Sequence, residues 1–248
     1  MNNPYSEFAN VYDVMQYDVD YDFWHEQILK RIATYRPEAK RILELACGTG
    51  TMAISLSKAG FITEGIDLSE DMLAIAANKA GLEKQKIRFY NQNMIDFETH
   101  KHYDVILCLC DGMNYLNDEE QFKSTLSQVK KHLSPGGLFI FDLSSIYKLS
   151  QVIGNSTFAE TFEHSAYIWE NEYDEISNQL NFLLTLFVDD GSTYKRIEEY
   201  HQQRAYRVEE VETMIVDDFE ILELVDGDSF EALEKFSQRI CFVLKLKE

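Results

Sequence analysis

The sequence has 248 residues, of which 45% are hydrophobic, and this is enough for one substantial core. Its 43 acidic and 23 basic residues leave a net charge of -20, which repels a phosphate backbone and argues against nucleic acid as a partner. The first residues do not resemble a secretion signal, and no apolar run is long enough to cross a membrane. We therefore expect a soluble, cytoplasmic protein that acts on a small molecule, with its oligomeric state left open.

The first predicted element is helical and runs from Tyr5 to Tyr35. Aromatic residues occur throughout it, and acidic residues such as Asp13 and Asp18 are interleaved with them, which is unusual for a simple solvent-facing helix. Two interpretations stay open. Either part of the segment, including Tyr12, folds over a ligand, or the whole segment packs on a sheet. We predict that residues 1–40 form a helical cap.

From residue 41 onward, predicted strands and helices alternate, which indicates a doubly wound, mostly parallel α/β sheet. Ser69 is a plausible N-cap for the second helix of this region. The predicted strands are Arg41–Ala46, Phe61–Ile66, Lys86–Asn91, Tyr103–Cys110 and Leu138–Leu143, and the predicted helices are Thr51–Lys58, Ser69–Gly81 and Asn117–Leu133.

The pattern changes after Ser150, where β-rich segments separated by turn residues predict an antiparallel insertion with a hairpin turn at residues 189–191. We assign residues 148–206 to this inserted lobe, and residues 41–147 and 207–248 to the core. The predicted strands of the insertion are Tyr167–Tyr173, Gln179–Val188 and Tyr194–Tyr206; a helix, Val208–Val216, and two strands, Phe219–Val225 and Arg239–Leu246, follow it.

The cysteines have no paired metal-ligand spacing, so we expect structural thiols and no metal site. They are Cys47, Cys108, Cys110 and Cys241.

The most informative motif is an apolar strand that runs into Gly48-Thr49-Gly50 and is followed, at the end of the next strand, by Asp67. Glycines allow a sharp turn and a close approach of a nucleotide-like ligand to the main chain. A carboxylate at the end of the second strand can accept hydrogen bonds from ribose hydroxyls. The sequence therefore predicts a nucleotide-binding site at the carboxyl ends of the strands.

The run Leu43-Glu-Leu-Ala-Cys-Gly-Thr-Gly50 resembles the glycine motif of the class I S-adenosylmethionine-dependent methyltransferases, in their small-molecule branch. The resemblance covers essentially residues 41–143. It implies a seven-stranded Rossmann-like sheet, S-adenosylmethionine as the cofactor, and in-line transfer of a methyl group to a small-molecule acceptor.

The resemblance also implies a set of cofactor-binding residues. Glu44 would organise the loop and the ammonium group of the cofactor, Asp67 would bind the ribose, and the residue pair Asn93-Met94 stands where the family has an acidic residue before an apolar one near the adenine. Plain alternatives stay open, because Glu44 could cap a helix, Met72 could be core, and Asp96 could replace Asn93. The full cofactor set is Tyr12, Glu44, Ala46, Cys47, Gly48, Gly50, Asp67, Leu68, Met72, Asn93 and Met94.

The loop Cys110-Asp-Gly-Met-Asn-Tyr115 resembles the family's Phe-Asp-Ser-Leu-Asn-Tyr segment beside the methyl donor. Its polar residues could instead cap the next helix. A general base is needed only if the acceptor arrives protonated, and the insertion offers His201 on one face of a strand and Arg204 on the other, although a solvated strand face would also explain them. The predicted catalytic residues are Asp111, Asn114, Tyr115, His201 and Arg204.

Two other functions fit parts of the pattern. A nicotinamide-dependent, NAD(P)-type oxidoreductase would also use Gly48-x-Gly50-x-x-Ala53 followed by a ribose-binding acid. A noncatalytic nucleotide-binding sensor could retain the same fold. The sequence does not select nitrogen, oxygen or carbon as the atom that receives the methyl group.

Overall fold

The computed structural model describes residues 12, 13, 16, 19–189 and 191–247. Among these residues, seven strands form the main sheet, five helices lie around it, and four further strands form a second, separate sheet. The elements are α1 (Tyr21–Tyr35), β1 (Arg41–Leu45), α2 (Thr51–Lys58), β2 (Ile62–Asp67), α3 (Glu70–Leu82), β3 (Arg88–Asn91), β4 (Tyr103–Cys108), α4 (Glu119–His132), β5 (Leu133–Ser144), β6 (Thr157–Thr161), β7 (Ser165–Asp174), β8 (Gln179–Asp189), β9 (Tyr194–Arg204), α5 (Val208–Ile215), β10 (Phe219–Asp226) and β11 (Arg239–Leu246).

The main sheet has seven strands in the order β10-β11-β5-β4-β1-β2-β3. Strands β1 to β5 pair in parallel, and β11 pairs antiparallel with both β5 and β10. The second sheet is antiparallel in the order β6-β7-β8-β9. The predicted fold class, a doubly wound, mostly parallel seven-stranded sheet with an antiparallel insertion, is confirmed.

Alternation along the strands supplies a core on each face of the main sheet. On β5, Phe139 and Phe141 pack with the apolar residues of α4 and α5, whereas Leu138 and Ile140 pack with those of α1 and α2. A strand covered by helices on both faces is mostly apolar, and β5 is buried from residue 137 to residue 144, with Asp142 and Ser144 as its buried polar residues. This burial holds the carboxyl ends of the parallel strands rigidly at one edge, where the loops carry the candidate site.

Several predicted boundaries differ from the observed ones. Strand β4 ends at Cys108 rather than at Cys110, because Cys110 and Asp111 adopt left-handed backbone conformations (φ 56° and 55°) that no strand can contain. Strand β5 begins at Leu133, so the predicted Ser134-Pro-Gly-Gly turn lies inside it. The short strand β6 was not predicted.

The start of the predicted N-terminal helix, residues 5–11, lies outside the described residues, as does Asp190 of the predicted hairpin turn. Helix α1 begins after Asp20, whose carboxylate accepts a hydrogen bond from the backbone N–H of Phe23 at 2.9 Å. In the part of the chain that is described, no helix is both long enough and apolar enough to cross a membrane.

Candidate active site

The end of β1 forms a cradle of backbone in left-handed conformations. Ala46, Gly48 and Gly50 have φ values of 50°, 52° and 74°. Glycine adopts such values without cost, whereas an alanine there is strained by roughly 1–2 kcal/mol. Ala46 therefore has a strained backbone, and strained backbone is commonly found where a ligand contacts the main chain.

Asp67 ties the cradle to the end of β2. Its carboxylate accepts one hydrogen bond from the N–H of Gly48 at 2.7 Å and another from the N–H of Ser69 at 2.9 Å. Burial raises the pKa of this carboxyl, and these backbone donors oppose the rise. The carboxylate therefore sits at the carboxyl ends of two parallel strands, where a ribose diol can reach it.

Glu44 is a buried acid, 6% exposed, near the end of strand β1 just before the cradle. Burial raises the pKa of Glu44 to about 8; Asp67 adds to the rise, while the N–H of Ala53 and the charge of Lys79 oppose it. Its Oε2 atom has no hydrogen-bond partner among the described residues. Such a carboxyl is neutral near pH 7 until a cation arrives beside it.

A narrow cleft opens beside Glu44 and the cradle. Its wall contains hydroxyl, aromatic and apolar side chains as well as cradle backbone. The lining residues are Tyr12, Tyr21, Trp24, Glu44, Ala46, Cys47, Gly48, Thr49, Thr51, Met52, Leu109 and Cys110.

Tyr12 and Asp13 lie over the cradle. The Cε1 atom of Tyr12 would be 3.9 Å from a Cβ atom placed on Gly48. Asp13 accepts a hydrogen bond from the hydroxyl of Thr49 at 2.6 Å and pairs with Lys79 at 2.6 Å. Helix α1, in contrast, packs on the sheet through its apolar face. The packing interpretation therefore holds for helix α1, whereas the contact of Tyr12 with a ligand stays a prediction.

The loop after β4 is held by three hydrogen bonds of Asp111. Asp111 accepts from the hydroxyl of Ser144 at 2.9 Å and from Gln203 at 3.4 Å, and its N–H donates to Asp142 at 3.0 Å. Asp142 is buried and ion-paired with Arg239. The loop is therefore connected to β5 and, through Gln203, to the second sheet.

Asn114 is fully buried, and the hydrogen bonds of its amide all go to backbone. It donates to the carbonyl oxygens of Ser144 at 3.1 Å and Arg204 at 2.9 Å, and accepts from the N–H of Ser144 at 2.8 Å. The N-cap of α4 is Asp118, so the alternative in which Asp111 or Asn114 caps that helix is wrong. In this position Asn114 joins the loop, β5 and the end of β9.

Tyr115 meets the second sheet at His201. The hydroxyl of Tyr115 lies 3.4 Å from His201 Nδ1, and His201 Nε2 lies 3.3 Å from a carboxylate oxygen of Glu199. Glu199 and His201 are 5% and 8% exposed, as expected for two residues on the covered face of β9. Arg204 points to the other side, where it pairs with Glu210 and lies 4.4 Å from the ring centre of Tyr206.

The remaining predicted cofactor residues are spread along the other side of the cradle. Leu68 is 60% exposed, whereas Met72 is buried and packs with Leu184 and Leu186 of β8. Asn93 accepts a hydrogen bond from the N–H of Ile95 at 3.2 Å, and Met94 packs against the main core. For both methionines the structure shows core contacts.

Sequence reasoning missed Gly65, Gln203 and the buried Asp142–Arg239 pair. A Cβ atom on Gly65 would lie 2.8 Å from the sulfur of Cys47, so this glycine lets β2 approach the cradle. The sequence did indicate a partner for Asp142, because a charged residue inside an apolar strand requires an opposite charge or hydrogen bonds.

Comparison with known proteins decides the family. A family model described as a methyltransferase domain matches residues 42–137. The sequence is 36% identical to a protein of Geobacillus sp. (strain WCH70) whose name assigns it provisionally to the methyltransferases, over 97% of this chain and 99% of that protein. The crystal structure of an S-adenosylmethionine-dependent methyltransferase from Clostridium acetobutylicum ATCC 824 matches with a TM-score of 0.89 at 35% identity, covering 98% of this chain and 99% of that chain. This chain belongs to the S-adenosylmethionine-dependent methyltransferases.

The methyltransferase is also similar, over shorter stretches, to proteins with more specific names. It is 28% identical to a dTDP-3-amino-3,4,6-trideoxy-alpha-D-glucopyranose N,N-dimethyltransferase of Streptomyces venezuelae, over 55% of this chain and 56% of that protein. The structure of Streptomyces venezuelae DesVI shares its fold, with a TM-score of 0.79 at 21% identity over 98% of this chain and 99% of that chain. None of these comparisons supports the nicotinamide-dependent oxidoreductase or the noncatalytic sensor.

S-adenosylmethionine is the cofactor, and when bound it supplies a methyl group on a positively charged sulfur. The chain fits it on two observations. The open backbone at Gly48 leaves room for close approach, and the unpartnered Oε2 of Glu44 offers a carboxyl to a cationic amino group.

Proposed function

We propose that the methyltransferase transfers the methyl group to a small-molecule acceptor that binds between the loop after β4 and the second sheet. The observation that carries this proposal is the contact of Tyr115 with His201, which brings together a hydroxyl from the loop after β4 and an imidazole from the second sheet. The small acceptors in the names of the relatives, together with the net charge of -20, support a small molecule over a nucleic acid.

In this proposal the cradle residues position the cofactor. Asp67 binds the ribose hydroxyls, Glu44 faces the ammonium group, and Tyr12 covers the ligand over Gly48. Ala46, Cys47 and Gly50 line the methionine portion, while Leu68, Met72, Asn93 and Met94 surround the adenine. Residues 1–40 act as the cap, residues 41–147 and 207–248 as the core, and residues 148–206 as the inserted lobe.

The chemistry needs positioning more than acid–base groups. An in-line substitution is accelerated when the nucleophile and the methyl carbon are held close together in a site that excludes water. Asp111 and Tyr115 form one wall of that site, and Asn114 holds the wall in place through its backbone hydrogen bonds. His201 takes a proton when the acceptor arrives protonated, and Arg204 supports the end of β9 from the opposite face.

The first test is calorimetric binding of S-adenosylmethionine and S-adenosylhomocysteine, with a nicotinamide cofactor as the comparison ligand. Asp67→Ala removes the proposed ribose acceptor, and two hydrogen bonds to a charged group correspond to roughly 100-fold weaker binding or more. Glu70→Gln is the matched control, because it removes an exposed acid from the first turn of α3. Equal affinities of Asp67→Ala and wild type would remove Asp67 from the ribose site.

The acceptor is tested with S-adenosylmethionine that carries a labelled methyl group. The label should enter the low-molecular-weight fraction of a cell extract and leave the nucleic acid and protein fractions unlabelled. Incorporation into macromolecules alone would reject a small-molecule acceptor.

A further inference from the structure

One face of the second sheet is turned toward the loop after β4. Gln203 contacts Asp111, His201 contacts Tyr115, and Leu184 packs with Met72 of the core. The strand register places Trp169 opposite Leu184 and Leu184 opposite Glu199, with Phe182 opposite His201 in the neighbouring row. These side chains share the face that covers the proposed acceptor site.

Aromatic rings form a continuous row along this face. The ring centres of Phe158 and Trp169 are 5.3 Å apart, and those of Trp169 and Phe182 are 5.7 Å apart. Phe182 stacks on His201 at 4.7 Å with an interplanar angle of 12°, and His201 meets Tyr115 edge-on at 6.0 Å. The faces of such rings attract cations.

Trp169 provides a separate indication of a ligand. Its indole N–H is buried and has no acceptor among the described residues. A buried donor without an acceptor destabilises the fold unless something else accepts its hydrogen bond. A ligand oxygen on this face would do so.

The charges at this face are acidic. Asp111 and Glu199 lie next to the aromatic row, and Glu160 shares the face from β6. Lys195, a cation on the same face of β9, is exposed and lies at the hairpin end, away from His201. The guanidinium of Arg239 behind the loop is already matched by Asp142 and by Asp228, which lies at 3.4 Å.

The N-terminal segment, which reaches the site at Tyr12, brings no compensating side-chain cation. The sequence has no lysine or arginine before Lys30, and the acids of this stretch are Glu7, Asp13, Asp18, Asp20, Asp22 and Glu26. A phosphate, a diphosphate or a carboxylate on the acceptor would thus meet carboxylates without a basic partner. An ammonium group would meet two carboxylates and a row of rings.

We infer that the acceptor is a small amine that arrives as an ammonium ion, carries no phosphate, and gives up its proton to His201 through Tyr115. This inference rests on the proposed function and specifies its substrate class. Glu199 is a positioning residue, because the negative charge of its carboxylate, 3.3 Å from Nε2, favours the tautomer with the proton on Nε2. Nδ1 is then free of a proton and faces the hydroxyl of Tyr115.

The proposed step conserves protons and electron pairs. The ammonium proton moves to the oxygen of Tyr115 while the hydroxyl proton of Tyr115 moves to His201 Nδ1, which leaves a neutral amine and an imidazolium beside Glu199. The lone pair of the amine nitrogen forms the new N–C bond as the C–S bond breaks, and the pair of that bond stays on sulfur. The products are a methylated ammonium ion and a neutral thioether.

The test measures binding rather than turnover. Protein saturated with S-adenosylhomocysteine is titrated in a calorimeter with matched sets of small molecules that differ in one group, such as 2-phenylethylamine, 2-phenylethanol and 3-phenylpropionate, or glucosamine, glucose and glucose 1-phosphate. The amine of a set should bind at least tenfold more tightly than its neutral and anionic counterparts. Amines that bind no better than their counterparts in every set, or sets without any binder, overturn the inference.

Two neighbouring glutamates supply the variant and its control. Glu199→Gln should reduce the preference for the amine by about tenfold or more, and it should shift the nitrogen NMR signals of His201 away from those of the Nε2-protonated tautomer. Glu198→Gln, on the opposite face of β9 and paired with Arg196, should change neither. Equal effects of the two substitutions would refute the role of Glu199.

The failure of this inference can be told apart from the failure of the proposed function. If S-adenosylhomocysteine does not bind to wild type, the proposed function fails. If it binds to wild type and to Glu199→Gln with equal affinity but no amine preference is seen, only the amine inference fails.

Discussion

Binding of the cofactor should release a proton from Glu44. With a pKa of about 8, this carboxyl is about nine-tenths protonated at pH 7 in the free protein. The ammonium group of S-adenosylmethionine at Oε2 stabilises the charged form and lowers the pKa well below 7. The expected release is therefore about 0.9 proton for each molecule bound at pH 7, and affinity should rise with pH up to about pH 8.

The release is measured by calorimetry at pH 7 in two buffers with widely different ionisation enthalpies, because a released proton adds the buffer's enthalpy to the observed heat. Glu44→Gln should abolish the difference between the buffers. Glu64→Gln is the control on the neighbouring strand. Burial alone would raise the pKa of Glu64, but hydrogen bonds from Lys101 and Tyr103 lower it, so this carboxyl is already ionised at pH 7.

Two results would refute the reasoning about Glu44: equal binding enthalpies of wild type in both buffers, or a proton release that persists in Glu44→Gln. The stability of the free protein gives an independent check. Because the folded-state pKa of Glu44 is raised, its protonated form favours folding below about pH 4.5, and this contribution is lost as the pH rises through about 8. The free energy of unfolding of wild type should therefore fall relative to that of Glu44→Gln across this range.

Three further substitutions test the packing around the site by denaturant unfolding. Gly65→Ala places a Cβ atom 2.8 Å from a cysteine sulfur and should lower the free energy of unfolding by about 1–3 kcal/mol. The control Gly81→Ala, whose Cβ atom meets no other atom within 4 Å, should raise it by about 0.5–1 kcal/mol. A larger loss for Gly81→Ala than for Gly65→Ala would contradict the close approach at Gly65. Arg239→Met leaves Asp142 buried without its cation and should lower the free energy of unfolding by about 3–5 kcal/mol. The double variant with Asp142→Leu should recover most of this loss. An unchanged stability of Arg239→Met would show that the pair is not buried. Asn114→Ala removes hydrogen bonds to buried backbone of β5 and β9 and should cost about 2–4 kcal/mol, and a loss below 0.5 kcal/mol would show that this side chain does not join the elements.

The elements predicted well were those whose signal is local. The main-sheet strands, the glycine cradle and the acid at the end of β2 follow from periodicity and backbone conformation within a few residues. Strand β6 was missed because only two of its five residues, Phe158 and Glu160, are even partly buried, so its apolar signal is weak. The alternative in which Asn114 caps α4 is wrong because its amide is used by distant backbone instead.

The sequence by itself determined the family resemblance and the α/β layers, and it predicted where the cofactor binds, because each depends on contacts between residues close in the chain or on strand ends that parallel pairing brings to one edge. Only the tertiary structure decided which polar groups meet at the proposed acceptor site. Tyr115 and His201 are 86 residues apart in sequence, and Asn114 and Arg204 are 90 residues apart. Such contacts depend on how two sheets dock, and no local pattern in a single sequence specifies that docking. The charge of an individual residue is visible in the sequence, but its neighbours, and therefore its chemistry, come from the fold.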